Sequence, residues 1–334
     1  MACVCDPQSA AIGSETNRMN ILRDIEPQRL PPTCVAVGVF DGVHLGHQAV
    51  LRQAVTGARE QGLLAAALTF DPHPARVLQP RRRPLLLTTM CERTALIGKL
   101  GIAALVVIKF DQACANQAPE EFARCVLVAR LNARCVVAGE GFAFGRGASG
   151  NITTLIELGP KLGFHASAVK RVTVEGGEVS STLIRELISE GEIERATALL
   201  GHCYIITGPA AAGSGRGRDL GFPTANICVE RDKLLPPNGV YAMRAEIAGA
   251  NRPAVGNIGV RPTFDSGRSR VAGRRRCVEV HLMGAESGDL YGQTLTLEVV
   301  RRLRDEKKFA TPEALAQQIR CDVAQAQEIL LDKV

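Results

Sequence analysis

Residues 34–47 read Cys-Val-Ala-Val-Gly-Val-Phe-Asp-Gly-Val-His-Leu-Gly-His, and this stretch narrows the possible folds more than any other. The apolar run Val35–Phe40 shows no polar alternation, the mark of a strand buried on both faces of a parallel sheet. Asp41-Gly42 signals a turn, and Leu45–Ala58 carries helical spacing. His44 and His47 then lie at or near a helix N-terminus, at the carboxyl end of a strand, where open α/β sheets bind ligands. Two imidazoles can hydrogen-bond phosphate oxygens there, and the Gly between them lets the backbone come close. Either histidine alone would be read as a helix cap.

The rest of the first half repeats the pattern. Residues 1–32 are polar, end in Pro31-Pro32 and read as a loosely ordered lead-in. Strands are expected at Leu64–Phe70, Ala104–Phe110, Cys135–Ala138 and His165–Val172, with helices between them at Pro119–Leu131 and Thr153–Leu162. Such alternation argues a doubly wound parallel sheet over residues 33–202. Ser181 opens a helix over Thr182–Ser189, and Gly191 separates it from a second, Ile193–Leu200. Past Gly201, Gly and Pro recur at short intervals. Strand patterns at Gly239–Ile247, Cys277–Met283 and Gln293–Leu303 follow one another without helices, as in an antiparallel barrel or sandwich over residues 203–334. A helix over Pro312–Leu331 closes the chain.

Composition excludes several classes. The chain of 334 residues is 46% hydrophobic and 22% charged, ordinary for a globular protein, and its net charge of +6 suits anionic substrates such as nucleotides. Arg81–Arg83 and Arg274–Arg276 could touch RNA. With ten Phe, three Tyr and no Trp there is little to stack bases on, and solvated loops explain both runs. Eleven cysteines lie scattered without a Cys-x-x-Cys pair, which speaks against zinc or a disulfide framework and for free thiols in a reducing cytoplasm. No apolar run reaches the ~20 residues of a membrane span, and no secretory signal is expected.

Three further clusters carry chemistry. Ser180-Ser181-Thr182-Leu183-Ile184-Arg185 sets hydroxyls at a helix N-terminus with an Arg one turn in, a second jaw for a polyphosphate. The glycines of Gly213–Asn226, among them Gly213, Gly215 and Gly221, allow amides to wrap phosphate while Arg218 supplies charge. It lacks the Gly-Lys-Ser/Thr ending of a P-loop. Thr224 and Asn226 offer neutral oxygens on one side of an extended segment, suitable for Mg²⁺ beside nucleotide phosphates. Glu279, on a strand with Val278 on its other face, is a carboxylate aimed into a barrel mouth, able to act as general base towards a hydroxyl.

Taken in order, these motifs resemble the bacterial bifunctional riboflavin kinase/FMN adenylyltransferase (FAD synthetase) family from about residue 33 to the end. The likeness runs through Gly38–His47, Thr69-Phe70-Asp71-Pro72-His73-Pro74 and Ser180–Arg185. It continues in Gly221-Phe222-Pro223-Thr224-Ala225-Asn226, Asn238-Gly239-Val240-Tyr241, Asn257–Phe264, Glu279-Val280-His281 and Asp289–Gly292. The resemblance implies a nucleotidyltransferase-like domain of the His-x-Gly-His type followed by a riboflavin-kinase barrel. Its substrates would be riboflavin, FMN and ATP with Mg²⁺, and its products FMN and FAD. It implies ATP contacts from Gly38, Phe40, Asp41, His44, His47, Ser181, Thr182 and Arg185 in the first domain. In the second it implies ATP or flavin contacts from Gly213, Gly215, Arg218, Gly221, Phe222, Pro223, Thr224 and Asn226, with Glu279 as base. No nucleic acid or membrane partner is implied, and a monomer or weak homo-oligomer is expected.

The chain departs from the family pattern at Gly139-Glu140-Gly141-Phe142-Ala143-Phe144-Gly145, where Gly141 replaces a polar Asp or Asn, and at Asn151, where an acid is usual. A second departure is the longer turn Met283–Gly288, where little functional effect is expected. Gly141 leaves open an alternative, a riboflavin kinase with a weakened or inactive adenylyltransferase domain. A flavin or nucleotide binder without turnover is disfavoured because Thr224, Asn226 and Glu279 are all present.

Overall fold

The computed structural model describes residues 19–23, 26, 30–212, 217, 220–247, 249–261, 275–284 and 291–331. The chain forms two compact units. The first comprises Asn17–His202 together with Arg231–Leu234; the second comprises Cys203–Glu230 and Leu235–Val334. The main break falls between His202 and Cys203, and four residues from the second half of the sequence, Arg231–Leu234, cluster with the first unit.

The first unit is a six-stranded parallel sheet of β1 (Asn20–Arg23), β2 (Thr33–Val37), β3 (Leu64–Asp71), β4 (Ala104–Lys109), β5 (Ala133–Gly139) and β6 (His165–Val169), ordered 1-4-3-2-5-6. Alternate residues of one strand enter different cores. Val35 and Val37 pack with Leu68, Val106 and Val136 on one face, and Cys34 and Ala36 with Ala67, Leu105 and Val137 on the other. Burial on both faces explains why the strands read as unbroken apolar runs. The strand sequence reverses direction between β2 and β5, so the switch-point crevice opens at their carboxyl ends.

Helix α1 (Leu45–Gln61) follows β2 and ends at Gly62, which takes the left-handed φ of 64° that terminates helices. The Pro119 helix covers Pro119–Phe122 and runs on as a π-helix over Ala123–Arg130. α2 (Met90–Gly98), α3 (Ile152–Leu162), α4 (Ser181–Glu190) and α5 (Ile193–Leu200) complete the main helices of this unit. Two expectations are corrected. Asn20–Arg23, inside the segment read as a lead-in, is an edge strand paired with β4; four residues without alternation carry no periodic signal. Ser180, not Ser181, caps α4, its Oγ accepting from Leu183 N at 3.2 Å.

The second unit is a closed antiparallel barrel, which resolves the barrel-or-sandwich alternative. Its strands are β7 (Tyr204–Ala212), β8 (Ala225–Ile227), β9 (Gly239–Ile247), β10 (Ala250–Arg261), β11 (Arg275–Leu282) and β12 (Thr294–Arg304), closed in the order 7-8-11-10-9-12. Alternation sends Ala225, Ile227, Tyr241, Met243, Ile258, Val278, Val280, Leu297 and Val299, all at most 2% exposed, to the interior. Helix α6 (Pro312–Leu331) packs Ala326 and Leu330 on Val240, Ala242, Val255 and Val300 of the outer face. Arg304 on β12 and Asp322 on α6 form a two-pronged ion pair at 2.8 and 2.7 Å.

Candidate functional sites

In the first unit the turn after β2 is held in an unusual backbone. Phe40 (φ 54°) and Val43 (φ 41°) both take left-handed conformations, which bulky residues adopt only where the surroundings impose them. The Phe40 ring lies so close to Gly38 that a Cβ there would meet it at 2.8 Å. The ring also stands edge-on to His47 at 5.4 Å. His44 caps α1, its Nδ1 accepting from His47 N at 3.4 Å, and the two imidazoles stack with centroids 3.6 Å apart. His47 Nδ1 is out of solvent and has no protein partner.

Beneath this turn lies Asp41, 1% exposed. Its carboxylate accepts from Arg185 Nη2 (2.6 Å), Arg93 Nη2 (3.5 Å), Leu87 N (3.1 Å), Thr88 N (2.9 Å) and Thr88 Oγ1 (3.1 Å). Burial alone would raise its pKa, but Arg93, Arg185 and the two amides overcome that and hold it below the usual carboxylate range. Asp41 is thus engaged internally, and what it presents to a ligand is the guanidinium it orients. One carboxylate against two guanidiniums leaves a net positive charge, which favours an anion.

Ser181 Oγ donates to Asp41 O at 3.0 Å, so the first turn of α4 and the approach to α1 meet at one residue. Two helix N-termini thereby converge, each attracting negative charge. Thr182 is exposed on the same turn. Burial lowers the His44 pKa to about 4; Asp41 opposes the shift, and Arg185 and His202 add to it. His47 is held well below its usual range by burial, then by His44, Arg93 and Arg185. Both imidazoles are therefore neutral at pH 7, each with one N–H to offer.

Several residues of this site were not singled out from the sequence. His73 shares the charges around Asp41, and burial pushes its pKa down to about 4, with Asp41 opposing and Arg185, Arg93 and Arg76 adding. Gln48 Nε2 donates to Val43 O and Leu200 O, and a His202–Gly42 O hydrogen bond at 3.0 Å braces the turn. Glu140 and Gly141 lie in a turn after β5. Glu140 accepts from Arg171 N at 3.4 Å, and a Cβ on Gly141 would sit 3.4 Å from Arg171 Nη2, an ordinary contact.

In the second unit the polar row runs across three strands. Glu279 on β11 is paired directly with Asn226 on β8 and with Asn257 on β10, so the three share one face. Their neighbours Val278 and Val280 fill the interior, which puts Glu279 on the barrel's outer face and corrects the expectation that it points into a barrel mouth. Asn226 is 7% exposed, and both of its amide atoms are buried without a partner. Thr224 is two residues away, and a Cβ on Gly217 would meet Thr224 Oγ1 at 3.2 Å and Phe222 O at 2.4 Å, so only glycine fits there. His281 Nδ1 lies 2.9 Å from Pro223 O, and its ring stands edge-on to Phe222 at 5.5 Å. Gly221 turns the chain at φ 82°. Gly213, Gly215 and Arg218 lie outside the described residues, as do Pro262–Phe264.

The donor set fits a hard cation. The buried amide oxygen of Asn226 and the hydroxyl of Thr224 are neutral oxygen donors of the kind Mg²⁺ takes alongside phosphate. Among the described residues no group of three or more His, Cys, Asp or Glu side chains could hold a metal, no helix is long and apolar enough to cross a membrane, and no disulfide is present.

Comparison with known proteins gives two family matches in tandem. Residues 26–183 match the FAD synthetase family model and residues 200–330 the riboflavin kinase model. A bifunctional riboflavin kinase/FMN adenylyltransferase of Bacillus subtilis is 37% identical over 294 residues, covering 87% of this chain and 90% of that protein. One of Escherichia coli is 32% identical over 316 residues, covering 93% and 97%. A crystal structure described as a macrolide-efflux protein from Streptococcus pneumoniae is similar with a TM-score of 0.79 and 28% identity, over 92% of this chain and 99% of that one.

Proposed function

The chain belongs to the bifunctional riboflavin kinase/FMN adenylyltransferase family, and from that premise we propose how its residues divide the work. The protein phosphorylates riboflavin to FMN with ATP and then adenylylates FMN with a second ATP, giving FAD and pyrophosphate. Nothing in the comparisons favours a silent adenylyltransferase domain.

In the second unit Thr224 and Asn226 would hold Mg²⁺-ATP, and the metal would supply neutralisation of phosphate charge. Glu279 takes the proton of the ribityl 5′-hydroxyl as that oxygen attacks the γ-phosphorus and ADP leaves. The observation that carries this assignment is the Asn226–Glu279–Asn257 row, with the Asn226 amide buried and unsatisfied. Gly213, Gly215, Arg218, Gly221, Phe222 and Pro223 are assigned to the nucleotide and flavin.

In the first unit an oxygen of the FMN phosphate attacks the α-phosphorus of ATP, and pyrophosphate departs. A phosphate monoester is already anionic near neutral pH, so the step needs alignment and charge stabilisation more than a base. His44 and His47 donate N–H groups to the ATP phosphates; Arg185, Ser181 and Thr182 line the opposite side; Gly38, Phe40 and Asp41 set the turn. Each site draws on one unit of one chain, so the reading requires no nucleic acid, membrane or second subunit, and a monomer or weak homo-oligomer suffices. The scattered cysteine usage supports a cytoplasmic setting.

The experiment is chromatography of the purified chain with riboflavin, ATP and Mg²⁺, beside a tube fed FMN. FAD is expected in both. FMN accumulating in the first with no FAD in either would reduce the protein to a kinase. His47→Ala is expected to remove FAD formation and leave FMN formation intact.

A further inference from the structure

The segment Leu85–Thr88 is held from two directions at once. Towards the adenylyltransferase site, Leu85 O accepts from Arg185 Nε at 2.9 Å, Leu87 N and Thr88 N donate to Asp41, and Thr88 Oγ1 accepts from Gly42 N at 2.9 Å. On the other side Leu86 pairs in parallel with Lys233. Leu86 N donates to Asp232 O and Leu234 N to Leu86 O, both at 2.8 Å. These partners come from the tetrapeptide Arg231–Leu234, which belongs to the first unit although it lies some thirty residues beyond α5 in sequence.

The tie is secured by charge. Lys233 Nζ donates to Leu87 O at 2.6 Å and pairs with Glu92 Oε2 at 2.7 Å, both side chains 0% exposed. Glu92 Oε2 in turn accepts from Thr89 N at 2.8 Å in the capping box of α2. One ion pair therefore pins the carbonyl at position 87 and the amide at position 89. A fully buried pair of this kind adds little net stability, since desolvation offsets the attraction; what it does provide is a unique register.

We propose that Lys233 is a positioning residue of the adenylyl-transfer site, fixing Leu85–Thr88 in the register that aims Arg185 and seats Asp41. The proposal rests on the reading that Arg185 faces the ATP phosphates. It means that the site is completed by residues encoded after the first strand pair of the kinase sequence, Tyr204–Ala212 and Ala225–Ile227.

The test is a double-mutant cycle in the full-length chain with Lys233→Met, Arg185→Ala and both together. FAD formation from supplied FMN is followed, and FMN formation by the same preparation controls for folding. Lys233→Met is expected to lower kcat for FAD formation roughly ten- to hundredfold, the scale of a misplaced catalytic group, with KM for ATP little moved and FMN formation unchanged. Adding it to Arg185→Ala should then cost little more, because both act at one place.

Effects that multiply, or a Lys233→Met protein that forms FAD normally, would overturn the proposal. If Lys233→Met loses FMN formation as well, the cycle is run in Lys233→Met/Glu92→Gln, which removes both buried charges and keeps an acceptor for Thr89 N; the same criterion applies. A wild-type chain that makes no FAD from FMN would remove the underlying reading instead, an outcome distinct from effects that multiply.

Discussion

Asp41 and Asn226 are both buried polar residues, 1% and 7% exposed, and they meet their surroundings in opposite ways. Asp41 accepts five hydrogen bonds from four residues, two of them arginines. Asn226 buries an amide whose nitrogen and oxygen find no partner in the protein. Around Asp41 the fold has already met the cost of assembling charge, so under the proposed assignment the dipoles and guanidinium are preorganised for phosphate. Around Asn226 the proposed function leaves satisfaction to the bound ligand. Substitutions in the first site should therefore damage stability and activity together, and those in the second mainly activity.

The largest expected effect tests the division itself. Glu279→Gln keeps the shape of the row and removes the proposed base, so FMN formation should fall by about 10²–10⁴, the usual worth of a general base. FAD formation from supplied FMN should continue. If both rates fell together, the assignment of one reaction to each unit would be wrong.

Asp41→Asn and Asn226→Leu then set the two sites against each other. The first leaves two guanidiniums, one of them fully buried, without their carboxylate, and should cost the adenylyltransferase unit about 3–5 kcal/mol. The second removes an unsatisfied amide at similar volume and should shift stability by less than about 1 kcal/mol while abolishing kinase turnover. Urea unfolding followed unit by unit reads both. Equal costs would erase the contrast between the two sites.

Acid sharpens it further. The folded pKa of His44, about 4, lies below its unfolded value near 6.5. Between those values the unfolded chain binds the extra proton, so the contribution of His44 is complete above pH 6.5 and is lost as pH falls towards 4. The loss amounts to about 3 kcal/mol. His44→Gln should flatten this limb of the stability profile, as measured by urea midpoints at pH 4 to 7. An unchanged slope would mean that the imidazole is already charged in the native site.

What could be read in advance follows the same contrast. The His-x-Gly-His turn and the alternating βα pattern were legible because contiguous residues carry them, and Pro312–Leu331 matched to the residue. Glu279, Asn226 and Asn257 were quotable singly, but their union depends on a register across three strands that no local pattern encodes. The face they occupy follows from which neighbours fill the barrel. Thr89-Met90-Cys91-Glu92 is a capping-box signal that could have placed α2 and drawn attention to Thr88 and Arg93. Lys233 offered no signal at all, since its partners are 141 and 146 positions away.

The smallest effect concerns Gly141, where the adenylyltransferase motif lacks its usual polar side chain. No left-handed backbone requires glycine there, because Gly141 is absent from the positive-φ residues among those described. The nearest atoms to a Cβ there all belong to Arg171, Nη2 at 3.4 Å and Cζ and Nε at 3.9 Å, in a side chain whose Nη1 already pairs with Glu178. Asparagine should therefore fit without disturbing the turn. Because the residue stands just past the carboxyl end of β5, beside the switch-point crevice, a new amide there can add one hydrogen bond to the bound substrate. That is worth about 0.5–1.5 kcal/mol, or roughly two- to tenfold in kcat/KM for FAD formation. FMN formation should not change. A Gly141→Asn protein no faster than wild type would show that Arg171 and Glu140 already supply what the missing side chain would give; a slower one would show that the crevice uses the open space.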